Sequence, residues 1–325
     1  MHISTPHDLR VATASSTRPR WSAAPPERVG GFPRSLRRLT ALALALATLA
    51  LLLIWIGGSL VIERLVYHPR RSDVGPPPSA RGWTYQDVSF RDQAGLTLRG
   101  WWIPGTGGPT ILIAHGWTSS RRQPHDESGY LHAAGYNLLL FDFRGHGQSD
   151  GSYTTLGWAE PDDLRAAIDF AHSRSPGRVG VIGYSMGAVA ALEEAVTDSR
   201  VAVVVADSPF ADLPSEQQYA WEHATRLPFV PFGIPLDIMA RLDLGYDPAR
   251  VRPVMAAGQL RQPVLVIVGT SDVVVPPTQG YAVFRAARGS KKLLVVPGAD
   301  HMTAYRRDSI TYERAVLGSL AAAFP

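Results

Sequence analysis

Cysteine is missing from all 325 positions, and lysine occurs only as the adjacent pair Lys291 and Lys292. The first absence excludes disulfides, cysteine-ligated zinc, a cysteine nucleophile and a lipidated N-terminal cysteine, and it is compatible with either side of a membrane. The second removes the lysine that a Walker-type phosphate loop requires. The glycine-rich stretch DFRGHGQSDG, residues 142 to 151, therefore reads as a structural loop and not as a phosphate cradle.

Charge is absent from Leu39 to Ile62, the run LTALALALATLALLLIWIGGSLVI. As a helix rising about 1.5 Å per residue it would extend roughly 36 Å, enough to cross a hydrocarbon core of about 30 Å. A cleaved signal peptide would have a shorter apolar region ending in a small-residue cleavage site, whereas this run ends in Glu63-Arg64. An uncleaved single-pass anchor over 39–62 is expected, with Trp55 and Tyr67 near the outer interface.

The formal charge of +4 hints at nucleic acid until it is divided along the chain. Residues 1–38 hold seven arginines against Asp8 and Glu27, a net of +5, so the remainder carries −1. A near-neutral main domain has no footprint for DNA or RNA. Residues 1–38, rich in Ser, Thr, Pro and Arg, read as a disordered tail. Its arginines orient the anchor with the N-terminus cytoplasmic and the large domain extracytoplasmic. Residues 63–82 have the Pro and Gly content of a linker. A folded domain is expected over 83–325.

Past the linker, strand-like runs alternate with helical ones. Residues 84–92 and 96–104 read as an antiparallel hairpin. Short Val/Leu/Ile-rich runs follow at 110–116, 136–145, 178–185, 201–210, 263–272 and 291–301, the pattern of buried parallel strands. Helices are expected at 159–174, 187–197, 277–288 and about 304–323. The fold class is α/β: a mostly parallel, doubly wound sheet of about eight strands, whose chemistry gathers at the C-terminal strand ends.

One such end carries VGVIGYSMGA, residues 179–188. A buried strand precedes Ser185 and an alanine-rich helix follows it, the context of a nucleophile elbow, with Gly183 and Gly187 removing Cβ atoms that would collide as the chain doubles back. A serine needs a base. Of ten histidines, His301 follows the last strand, whereas His115 and His146 precede the serine and sit in loops with other uses. The imidazole needs a carboxylate, and Asp272 ends the strand before that of His301. Asp207, Asp212 and Asp300 are its rivals, but the order Ser185, Asp272, His301 is the triad order of this architecture. The backbone N–H groups of Met186 and Trp117 are assigned to the oxyanion hole, with Thr118 as a substitute for Trp117, each donor lowering the barrier by about 3–4 kcal/mol.

HGWTSS, DFRGHGQSDG, GYSMG, ADSPF, GTSDVVVPP and GADH together resemble the α/β-hydrolase superfamily from about Tyr85 to the C-terminus, and in particular its membrane-anchored esterase and serine aminopeptidase-like members. The resemblance implies the same triad and oxyanion roles, and a short lid over about 211–246. Tyr184, Trp221, Phe229 and Phe232 are expected at the substrate pocket. The aromatic and aliphatic residues of the lid, Tyr219, Ile234 and Ile238 included, either line an acyl pocket or pack the lid on the sheet. The expected activity is hydrolysis of carboxylic esters or thioesters on a small-molecule or lipid-like acyl substrate, with no metal and no organic cofactor. The alternatives are a peptidase or amidase, and a non-catalytic binding module on the same scaffold. No propeller precedes the domain, and no cluster of acids that would hold a substrate amine is identified.

Overall fold

The computed structural model describes residues 33–324, the side chain of Phe232 excepted. The expected tail lies outside the described residues as far as residue 32. The chain divides into two compact units at Leu51/Leu52. A single helix, α1 (Arg34–Tyr67), carries the apolar run; it starts before Leu39 and continues beyond Ile62. Its apolar side chains are exposed as far as Val61 apart from half-buried Trp55, and among the described residues it is the helix long and apolar enough to cross a membrane.

The sheet has eight strands: β1 (Gln86–Arg91), β2 (Thr97–Ile103), β3 (Thr110–Ala114), β4 (Asn137–Phe141), β5 (Val179–Tyr184), β6 (Val201–Asp207), β7 (Val264–Gly269) and β8 (Lys291–Val296), in the order β1-β2-β4-β3-β5-β6-β7-β8. β1, β2 and β4 pair antiparallel. The rest are parallel, with Leu112 opposite Leu139 and Val181, and Val266 opposite Leu293.

Alternate residues of each strand enter opposite layers, which is why the central strands are apolar throughout. Leu112, Leu139, Val181 and Val204 pack with helices α2 (Glu160–Arg174) and α3 (Met186–Thr197). Ile113, Leu140, Ile182 and Val205 face the other way. Tyr312, Val316 and Leu320 of the C-terminal helix pack on that side. β8 is an edge strand, and the Lys291 ammonium at its start donates to the carbonyls of Arg285 and Ala287 (both 2.9 Å).

Several expected strands end early because the chain must turn at the C-terminal edge of the sheet: β6 stops at Asp207, not 210, and β8 at Val296, not 301, with Gly298 at φ +72°. The segment 211–246 forms α4 (Leu213–Thr225), a short turn at Phe229–Phe232, and α5 (Ile234–Leu244). After them come α6 (Pro277–Ala286) and α7 (Ser309–Ala323). The helix expected from 304 is split, because the Asp308 carboxylate accepts the N–H of Thr311 (3.0 Å) and caps α7.

The last residue of α1 is buried. Tyr67 packs with Val189, Phe210, Leu213, Leu236, Ala240 and Tyr246. Just beyond it, Arg71 donates to the carbonyls of Gly147 (3.1 Å) and Gly151 (2.6 Å), binding the expected linker to the glycine-rich loop.

Candidate active site

Ser185 sits between β5 and α3 at φ +51°, ψ −114°, a conformation a non-glycine residue adopts only under constraint. The constraint is visible. A Cβ on Gly183 would lie 2.3 Å from the carbonyl oxygen of Gly187, and one on Gly187 would lie 2.3 Å from that of Ala114. Both glycines serve close approach, not positive φ, and they press the start of α3 against β3 and β5. The Ser185 N–H donates to the Asp207 carbonyl (2.8 Å), fixing the turn to β6.

His301 follows β8, and its Nδ1 lies 2.8 Å from Asp272 Oδ2. The other carboxylate oxygen of Asp272 accepts the N–H groups of Val274 (3.0 Å) and Val275 (2.8 Å). With Nδ1 donating to Asp272, the lone pair of the neutral imidazole is on Nε2. The rival carboxylates have other work. Asp300 accepts the N–H of His301 (2.7 Å), and Asp212 caps α4 through the N–H of Ser215 (2.9 Å). Asp207 takes hydrogen bonds from Tyr312 and Ser208 (both 3.0 Å), and burial pushes its carboxyl up to about 7.

The loop after β3 is held by His115. Its Nε2 accepts the N–H of Phe143 (3.1 Å), so its proton is on Nδ1 and is donated to the Gly116 carbonyl (2.7 Å). Burial, reinforced by the neighbouring His146, pushes this imidazole down to about 3, which keeps it neutral and its tautomer fixed. Next in the chain, the Trp117 indole donates to the Val66 carbonyl at the end of α1 (2.9 Å). Met186 is the first residue of α3, so its N–H has no acceptor within the helix.

Ser185, Met186, Trp117, Thr118 and His301 all line one cavity of about 510 Å³. Its walls are otherwise largely apolar, and the helices of the 211–246 segment supply much of them. Of the four expected pocket residues, Trp221 lines it. Tyr184 does not: as the strand residue before Ser185 it points into the layer of Ile182 and Tyr312. Phe229 stacks edge-on against Trp221 (ring centroids 6.3 Å apart) and is not among the lining residues. The side chain of Phe232 lies outside the described residues.

Among the lining residues that were not foreseen, Ile62 and Val66 bring α1 into the cavity wall, and Glu216 of α4 adds an acid. Burial, with Asp272 nearby, pushes the Glu216 carboxyl up to about 8, and Gln279 donates to it (2.7 Å). Ile62 and Val66 stand four apart, on one helical face, but the sequence does not set that face apart from the others. Among the described residues, Glu63, His68 and Asp243 bring ligand-type atoms within 4.8 Å of one another; none of them lines the cavity.

The glycine-rich loop is structural in its contacts. Asp142 accepts the Arg121 guanidinium (2.5 Å) and the Gln148 N–H (2.9 Å), while Arg144 is bound by Asp163 (2.6 Å) and Asp92 (2.8 Å). Both guanidinium groups are already neutralised.

Comparison with known proteins places this geometry in context. Residues 103–310 match the model of the alpha/beta hydrolase family. An uncharacterized protein of Mycobacterium tuberculosis (strain H37Rv) is 34% identical over 247 residues, covering 74% of this chain and 80% of that protein. The uncharacterized protein YqkD of Bacillus subtilis is 30% identical over 230 residues, 68% of this chain and 74% of its own. Among solved structures, an esterase of Pyrococcus furiosus superposes with a TM-score of 0.67 at 28% identity, over 80% of this chain and 99% of the esterase.

Proposed function

The chain belongs to the alpha/beta hydrolase family, and from that premise we propose that it is a membrane-anchored serine hydrolase of carboxylic esters or thioesters. The observation that carries the reading is the convergence on one cavity of Ser185, forced to φ +51°, and His301, whose Nδ1 is committed to Asp272 at 2.8 Å.

Ser185 Oγ attacks the substrate carbonyl carbon as His301 Nε2 takes its proton, and Asp272 stabilises the imidazolium. The tetrahedral oxyanion is received by the N–H groups of Met186 and Trp117. Collapse expels the alcohol or thiol with the proton from His301. Water then enters, loses a proton to the same nitrogen, and displaces the acyl group from Ser185 as the free acid.

The cavity wall speaks against an aminopeptidase that would hold a charged substrate amine. Glu216 is the acid among its lining residues, and a carboxyl pushed up to about 8 is neutral at pH 7. The wall therefore offers no negative charge to a substrate amine. The likeness to an esterase of Pyrococcus furiosus accords with this reading.

Anchoring rests on α1, whose uncharged run from Leu39 to Ile62 is long enough to span. The Arg-rich tail is assigned to the cytoplasmic side, the hydrolase domain to the other, and residues 211–246 to a lid. The test is labelling by a fluorophosphonate probe, which needs an activated serine but no guess at substrate. The parent labels, and Ser185→Ala, still folded by thermal melt, does not and loses more than about a thousandfold in ester turnover. Equal labelling of both proteins, or none of the folded parent, refutes the assignment.

A further inference from the structure

The cavity that holds Ser185 is walled in part by the helix assigned to the membrane. Ile62 and Val66, one turn apart on α1, line it together with Leu236 of α5. The Trp117 indole ties the loop beside Ser185 to the Val66 carbonyl (2.9 Å). A site fed from water has no need of its anchor in its wall.

The same neighbourhood carries an uncovered apolar face. On α5, Leu236 and Ala240 turn inward, while Ile234, Ile238 and Leu242, at steps of four, are 38%, 46% and 74% exposed. Leu227 and Val230, just before this helix, are exposed as well. α5 is tied to the end of α1, because Asp243 Oδ2 lies 3.0 Å from His68 Nε2 and Leu236 packs against Tyr67 in one cluster. On α1 itself, Leu60, Val61 and Leu65 are exposed around the turn that supplies Ile62 and Val66. Two helices joined at this point, α1 and α5, thus both carry exposed apolar side chains, and the longer of them has an apolar surface that calls for lipid.

From this arrangement, and resting on the hydrolase reading above, we infer that the outer face of α5 docks in the lipid interface and that the substrate is a membrane-borne long-chain acyl ester, its chain passing to Ser185 along Ile62 and Val66. The physical reason is partition. Each methylene that leaves lipid for water disfavours transfer about fourfold. A chain that slides from bilayer onto α1 and then into an apolar cavity never makes that exchange. A cavity of about 510 Å³ is within the range of about 300–1,000 Å³ usual for small-molecule sites.

The absence of native cysteine makes the test clean. The full chain, as Ile238→Cys carrying an environment-sensitive NBD dye, is reconstituted in vesicles of non-hydrolysable diether phosphatidylcholine. A dye at Arg288→Cys, an exposed position outside the lid, serves as control. Docking predicts a blue-shifted emission at 238 that spin-labelled lipids quench, and neither change at 288. Water-like emission at 238 overturns it. So does a blue shift that lipid quenchers leave untouched, which would mean a protein covers the face.

For the substrate, Ile238→Glu/Leu242→Glu lies outside the cavity wall. This variant should lose at least about tenfold in kcat/KM on a long-chain ester dissolved in the vesicles, while keeping p-nitrophenyl butyrate turnover within about twofold. Parallel loss on both esters, or loss on neither, overturns the substrate assignment. Failure of the parent to label with fluorophosphonate instead fails the hydrolase reading, whatever the dye reports.

Discussion

Replacing Asp272 with asparagine tests how the base is held. The two N–H groups of Val274 and Val275 both point at Oδ1, at 3.0 and 2.8 Å. In Asp272→Asn they keep the amide oxygen, because turning the amide over would set its NH2 against two more donors. The NH2 must then face His301 Nδ1, now 2.8 Å from a carboxylate oxygen that only accepts. The imidazole responds by moving its proton to Nε2. That nitrogen then has no lone pair for the proton of Ser185.

Loss of the correct tautomer, together with the lost stabilisation of the imidazolium, should lower kcat by about 10⁴, or roughly 5.5 kcal/mol at about 1.36 kcal/mol per decade. KM should hardly move, since Asp272 is not among the cavity-lining residues. The assay is steady-state hydrolysis of p-nitrophenyl butyrate with a thermal melt as the folding control. A loss below about tenfold in a folded protein, or a loss confined to KM, would refute the reasoning and point to another orienting group for His301.

Two further expectations follow from close approach and from burial. Gly187→Ala puts a Cβ 2.3 Å from the Ala114 carbonyl, where only backbone can yield; chemical denaturation should show a loss at or above the upper end of the about 1–3 kcal/mol typical of overpacking, and an unchanged midpoint would mean the elbow is not tightly packed. Glu216, raised from 4.5 to about 8 in the folded state, holds a proton there that the unfolded chain has lost, so the stability it contributes is complete below about 4.5 and is lost as pH rises through about 8. Glu216→Gln should match the parent near pH 5 and exceed it by about 1–3 kcal/mol near pH 9; parallel stability curves would show that Glu216 ionises normally.

What could be read from the sequence was local or ordinal. The elbow at Ser185 was legible because two glycines, a buried strand and an alanine-rich helix coincide within a few residues. The pairing of Asp272 with His301 followed from which strand ends are neighbours. The pocket was harder, because a wall is assembled from distant segments. Tyr184 was expected there from its nearness to Ser185, yet strand alternation sends it to the opposite layer. Ile62 was read as the end of a membrane span and Val66 as part of a linker, and nothing in the sequence marks the turn at which the helix meets protein. Glu216 looked like one more acid on a polar helix face, since only the tertiary position of Gln279 and the burial of α4 single it out.

The bond between the Trp117 indole and the Val66 carbonyl bears on how the enzyme can be dissected. The obvious place to trim the chain for expression in water is the proline-rich stretch before Trp83, which would remove Ile62, Val66 and Tyr67 together. The remaining fragment would keep Ser185, Asp272 and His301 and, on the function proposed above, still hydrolyse small soluble reporter esters. It would do so with a breached wall and with the loop at Trp117 cut loose from its tether. Chain-length preferences measured on such a fragment would describe the breach, and a screen built on them would rank compounds against a site the intact protein never presents.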